Sequence, residues 1–148
     1  FAQYKNLQVW NAAVADVEID PTTGKVRVTH FYSVADAGLI INPDGFKNQI
    51  EGGLIQAASW TIFEEVQFDK TQIKNSSWGD YPILRFEDVP EIEVELINRP
   101  SEKSVGVGEG SQGPGGAAIA NAVAAATGKR VYDLPLNPTR IKNSLTKT

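Results

Sequence analysis

Between Ser104 and Gly128 the chain reads SVGVGEGSQGPGGAAIANAVAAATG, a glycine-rich loop with one carboxylate, Glu109, feeding a run of small residues. Seven glycines lie from Gly106 to Gly128. Such a backbone can bring its N–H groups against whatever it faces. From Pro114 to Thr127 nearly every residue is Ala, Ile, Val or Asn. This predicts a helix that is slender all round and buried on most sides, stopped by Gly128 with Lys129 and Arg130 at its negative end. Two uses of the loop fit the residues. In one, its N–H groups and the helix start receive an anionic ligand or a partner segment, and Glu109, since a carboxylate aimed at an anion is repelled, faces a proton-bearing group and serves as an acid or base. In the other, the glycines make a tight turn against a neighbouring element and Glu109 is an ordinary solvated charge.

Other regions narrow the options. The chain has no Cys, so it can hold neither a disulfide nor a thiolate-ligated iron–sulfur cluster. His30 is the only histidine, which removes His-rich metal sites and leaves no metal ligand set to predict. A net charge of −4 with scattered basic residues disfavours nucleic acid as a partner. No apolar run reaches the ~20 residues of a membrane span, and no basic-then-apolar leader opens the chain. With Phe1 first and no Met anywhere, a piece of something longer is expected. Residues 1–148 read as one domain without linker or repeat, and the compartment stays open.

Alternation of apolar and polar residues predicts a strand from Gln8 to Asp20, with Ala13, Ala15, Val17 and Ile19 on one face. A turn at Pro21-Thr22-Thr23-Gly24 leads to a second strand, Lys25 to Ala35, with Val26, Val28, His30, Tyr32 and Val34 together. Asn42-Pro43 is a helix cap and first residue, and Phe46, Ile50, Leu54, Ala58 and Ile62 recur every four residues. The predicted helix, Pro43 to Glu64, is about 33 Å long at 1.5 Å per residue. Gly52 and Gly53 inside it cost roughly 2 kcal/mol together relative to Ala, so a close backbone or a ligand has to offset them. A short hairpin follows around Asp69, then a loop over Asn75 to Pro82. Glu91 to Asn98 is another strand whose Glu91, Glu93 and Glu95 form a solvated face. Val131 to Leu136 reads as an exit strand, and Asn137-Pro138 opens a last helix to about Leu145. The fold class is α+β: a mainly antiparallel sheet, a long Gly-containing helix and a buried small-residue helix.

Four stretches in order, Asp36-Ala37-Gly38 with Ile41-Asn42-Pro43, Gln49-Ile50-Glu51-Gly52-Gly53, Asp80-Tyr81-Pro82, and Gly106-Val107-Gly108-Glu109 with the helix after it, resemble the C-terminal end of a molybdenum hydroxylase large subunit. That is the xanthine dehydrogenase and aldehyde oxidase family, and the pattern is most like the isoquinoline 1-oxidoreductase β subunit and its bacterial relatives. The resemblance implies a molybdopterin-binding domain, with Glu109 as the base that takes a proton while water-derived oxygen is delivered to an N-heteroaromatic or aldehyde carbon. It implies that Gln49 hydrogen-bonds the pterin, that Gly52 and Gly53 allow its close approach, and that Gly106, Val107 and Gly108 give it backbone contacts. The cofactor would be molybdopterin, as the cytosine dinucleotide, with the metal held by the pterin. Implied partners are the remaining large-subunit domains, a small [2Fe-2S] subunit and a small-molecule substrate, so the isolated chain is expected to be empty and inactive. One departure stands out: the family usually has Pro after this glutamate, whereas Gly110-Ser111-Gln112 follows here, predicting a looser loop.

Overall fold

The computed structural model describes residues 2–3 and 9–146. A sheet of order β1-β2-β3-β4 is built from Ala2–Gln3, Trp10–Ile19, Val26–Asp36 and Glu91–Ile97. The predicted start of β2 at Gln8 lies outside the described residues. Strands β1 and β2, and β2 and β3, pair antiparallel, whereas β4 pairs parallel with β3. The parallel pairing follows from the long crossover between them, which carries α1 (Pro43–Ile62); a tight hairpin cannot make one. Helices α2 (Gln112–Thr127) and α3 (Pro138–Thr146) complete the α+β fold.

One register break changes which side chains face inward. Between Asp16 and Val17 of β2 the pairing slips, so that His30 opposes Asp16 and Val28 opposes Val17. Thr29 is the extra residue, and its hydroxyl donates to the Asp16 carbonyl at 3.3 Å. A bulge of one residue reverses side-chain parity. Val26 and Val28 therefore face the core, but Phe31, Ser33 and Ala35 take over beyond the bulge, and Tyr32 and Val34 are exposed. The predicted grouping of His30, Tyr32 and Val34 with Val26 and Val28 is thus overturned. His30 stacks on Tyr32 with ring centroids 4.2 Å apart and lies 3.2 Å from Glu93 and 3.7 Å from Glu91. The three glutamates of β4 are exposed as expected, while Ile92, Val94 and Leu96 lean inward.

The inner sheet face packs on α1 and α2 through one cluster that includes Phe31, Phe46, Ile50, Leu54, Ile119 and Val123. Asn42 caps α1 by accepting from the Gly45 N–H at 3.0 Å, with Pro43 in the first turn. The helix ends at Ile62, with Phe63 as its C-cap, two residues short of the predicted end. Helix α2 begins before Pro114, because the Gly115 N–H already bonds the Ser111 carbonyl at 2.9 Å; a proline in a first turn loses no intrahelical bond. It stops at Gly128, whose φ of 68° is the left-handed cap. The second hairpin shrinks to one bridge, Phe68 to Ile73, because both residues are exposed and have no core to pack on. The segment Val131 to Leu136 is not a strand. Its Leu136 N–H bonds the Thr61 carbonyl near the end of α1 at 2.7 Å, so a helix end takes the place of a sheet edge.

The β2–β3 turn is held by Asp20, which accepts from the Thr22 and Thr23 N–H groups at 2.8 and 3.1 Å. These bonds, that from the Thr23 backbone most of all, hold its pKa below the ordinary 3.8. A lowered folded-state value means the contribution is full above that ordinary value and is lost as pH falls through the folded one. Asp20→Asn should therefore flatten the acid limb of thermal stability, measured as Tm from about pH 5 down to about pH 2.

Candidate functional site

Three of the four sequence motifs prove to be supports that deliver the fourth. Asp36 accepts from the Gly38 N–H at 2.9 Å and from Arg99 Nε at 2.7 Å. The Ala37 and Gly38 carbonyls accept from Val105 and Arg99 N–H groups at 3.1 and 3.0 Å. This clasp ties residues 99–105 to the end of β3 and sets where the glycine-rich loop begins. At the other end of α1, the Tyr81 hydroxyl donates to Glu64 at 3.0 Å. The acceptor carboxylate holds the phenol pKa above its usual 10.0. The Leu84 N–H donates to Ser59 at 3.0 Å. Asp80-Tyr81-Pro82 is thereby an anchor for the loop on α1.

The glycine-rich loop lies along α1 on three side-chain bonds. Gln49 Nε2 donates to the Gly108 carbonyl at 2.8 Å, Ser111 Oγ donates to the Ile50 carbonyl at 3.0 Å, and Gln112 Nε2 donates to Gln56 Oε1. Glu109 stands between the first two, exposed, in a turn closed by the Gly110 N–H on the Val107 carbonyl at 3.0 Å. The expected looseness after Glu109 is therefore absent. Gly110 is seated so tightly that a Cβ there would lie 2.2 Å from Val9 Cγ1.

The glycines divide by what they face. A Cβ on Gly52, Gly106 or Gly108 would meet nothing within 4 Å, so these backbones front open space. Gly53 does not: a Cβ there would lie 2.2 Å from Ser111 Oγ. Its missing side chain is occupied by the loop, which accounts for its helix cost through a close backbone contact. Glu51, next to them, pairs with Lys47 at 3.6 Å. Farther along α2, Gly115 and Gly116 bring that helix onto Leu54, Ala57 and Trp60 of α1.

Beside the loop opens a cleft of about 290 Å³, lined among others by Ile40, Phe46, Gln49, Val105, Val107 and Gly108. The structure thus gathers Gln49, Val107 and Gly108 on one wall, with Glu109 adjacent in the chain. A larger cavity of about 400 Å³ lies past the far end of α2, around Lys129, Tyr132 and Arg140. It includes none of the sequence-predicted site residues. Among the described residues no group of three or more His, Cys, Asp or Glu side chains could hold a metal ion, and no helix is long and apolar enough to cross a membrane. The polar residues lining the cleft are Asn42, Gln49 and Ser104, beside open backbone at Gly108, with the Glu109 carboxylate next in the chain. That set suits a neutral heterocycle with mixed donors and acceptors. A metal there would depend on ligands that the heterocycle itself brings.

Sequence reasoning missed Ser111, which is fully buried, and the Arg99–Asp36 clasp. A hint of the first was available: a lone hydroxyl in a run of glycines, and a helical Gly53 needing something small against it.

Comparison with known proteins gives the family and the fold. Residues 2–90 match the family profile described as molybdopterin cofactor-binding domain. The chain is 42% identical over 136 residues to a nicotinate dehydrogenase subunit of Pseudomonas putida, covering 92% of this chain and 12% of that protein. It is 35% identical over 138 residues to the β subunit of isoquinoline 1-oxidoreductase of Brevundimonas diminuta, covering 93% and 17%. The aldehyde oxidoreductase structure from Desulfovibrio gigas superposes with a TM-score of 0.85 at 28% identity, covering 94% of this chain and 16% of that one. The chain spans less than a fifth of the length of these relatives.

Proposed function

The chain belongs to the molybdopterin cofactor-binding domain family, and on that premise we propose that it forms one wall of the cofactor site in a molybdenum hydroxylase and carries that enzyme's proton-accepting carboxylate, Glu109. The observation that carries this reading is the 2.8 Å bond from Gln49 to the Gly108 carbonyl. It joins two motifs 59 residues apart at the edge of the cleft and leaves the Gln49 carbonyl oxygen to accept from a ligand. Gln49, Gly52, Gly106, Val107 and Gly108 hold the pterin by amide and backbone groups, and Gly53 holds the loop that presents them. When bound, the molybdenum pterin supplies the two-electron acceptor for oxidising a C–H bond with oxygen from water. Conversion of R–H and water to R–OH releases two protons and two electrons. Glu109, whose side chain is exposed next to the cleft-lining Gly108, takes one of those protons.

The named relatives act on, or are named for, nicotinate, isoquinoline and aldehydes, so the substrate class is an N-heteroaromatic ring or an aldehyde. We place the chain as one domain toward the C-terminal end of a large subunit, with the cytosine dinucleotide form of the cofactor and a small [2Fe-2S] subunit as electron acceptor.

A cleft of about 290 Å³ is at the lower end for ligand pockets, which run to ~1,000 Å³ and bury most of a drug-sized ligand. One wall alone cannot do that for a pterin dinucleotide. Metal analysis of the isolated chain should accordingly find molybdenum far below one per chain; stoichiometric metal would contradict the half-site. In the assembled large subunit, Gln49→Leu should weaken cofactor retention about tenfold, the effect of one lost hydrogen bond to a ligand. Pterin fluorescence after denaturation measures it, and full retention would remove Gln49 from the site.

A further inference from the structure

We propose that Ser111 is a positioning residue for Glu109: its hydroxyl, seated in the notch left by Gly53 and bonded to the Ile50 carbonyl, fixes where the carboxylate points. The proposal rests on Glu109 being the base. Ser111 is fully buried, and it precedes α2 without capping it, since its side chain makes no bond to the helix's own N–H groups. An N-cap serine ordinarily spends its hydroxyl there. Here the hydroxyl reaches across to α1 instead, to a carbonyl 61 residues away. Only Glu109 and Gly110 separate this anchor from the Gly108 anchor on Gln49, and Gly110 is itself packed on Val9. The backbone on either side of the carboxylate is therefore held, and the Ser111 hydroxyl is the buried half of the hold. Misplacing a reacting group by an ångström can cost about 100-fold in rate.

The notch geometry makes the test sharp. A Cβ on residue 53 would lie 2.2 Å from Ser111 Oγ but 3.5 Å from Ser111 Cβ, an ordinary contact. The clash of Gly53→Ala is thus with the hydroxyl alone. Without that clash, Ala would favour the helix over Gly. Ser111→Ala removes the bond but orphans nothing, because the Ile50 carbonyl keeps its helical partner.

The experiment compares Gly53→Ala, Ser111→Ala and the double variant in the assembled enzyme, by kcat, KM, molybdenum content and amide exchange of residues 107–113. Ser111→Ala should lower kcat about tenfold with KM and molybdenum content unchanged, and should speed exchange in the loop. Gly53→Ala should lower kcat by about 100-fold or fail to accumulate, and adding Ser111→Ala should bring it back to the level of Ser111→Ala alone. Additive losses with no rescue, in rate or in soluble yield, would overturn the notch. Loss of kcat in step with loss of molybdenum would overturn positioning in favour of a plain structural role, as would an unchanged kcat and exchange in Ser111→Ala. Should Glu109→Gln keep its turnover, the function proposed above fails; the rescue and exchange measurements then still judge the notch by themselves.

Discussion

Replacing Glu109 by Gln in the assembled enzyme is expected to lower kcat by about 10²- to 10⁴-fold, the range for loss of a positioned general base. Molybdenum content should not change. Gln matches Glu in size and can still accept a hydrogen bond, but it cannot take up a proton at working pH. The bonds that lay the loop on α1 use the Gly108 carbonyl and the Ser111 hydroxyl, so the substitution leaves those anchors in place. Steady-state turnover together with metal analysis checks both halves. Retained turnover would remove Glu109 from the chemistry. A fall in turnover matched by a fall in metal would make it a binding residue instead. If the loop only received an anion, the same change would tighten that binding, because a negative charge near the helix start would be gone.

Phe31→Ala should destabilise the protein by about 3–5 kcal/mol, the usual loss for a buried aromatic. Phe31 is 0% exposed and faces the cluster shared with α1 and α2. Its neighbour Tyr32 is 41% exposed, on the opposite face. Tyr32→Ser should cost only about 1 kcal/mol, mostly its stacking on His30. Urea unfolding of the two variants measures the contrast. The reverse order of effects would mean that the bulge at Thr29 is not there and that the simple alternation from Val26 to Val34 holds throughout β3.

That contrast shows where the sequence stopped being legible. Alternation identified both long strands, the four-residue recurrence gave α1, and Asn42-Pro43 gave its start, because each is a local preference written in neighbouring residues. The bulge was hidden, since Val28, His30, Tyr32 and Val34 keep a period of two while the backbone slips beneath them. The parallel pairing of β4 was hidden as well: its Glu-Ile-Glu-Val-Glu-Leu pattern fixes which face is wet but not which strand lies beside it. At the site, Glu109 stood out as the one carboxylate in a glycine-rich loop, whereas Gln49, set among Lys47, Asn48 and Glu51, was marked only by the resemblance of its stretch. Their joining could not be read, because the bond between Gln49 and Gly108 crosses 59 residues. Gly53 and Ser111 failed for the same reason. Each looks permissive by itself, and together they form a closed contact.

Anomalous diffraction at the molybdenum edge from crystals of the assembled enzyme measures whether Glu109 and Gln49 stand on one cofactor wall, as proposed. A metal peak is expected at the cleft edge, with the Glu109 carboxylate facing it and Gln49 against the pterin. A peak on the far side of α2, near Lys129 and Arg140, or anywhere from which the Glu109 side chain cannot reach, would contradict it.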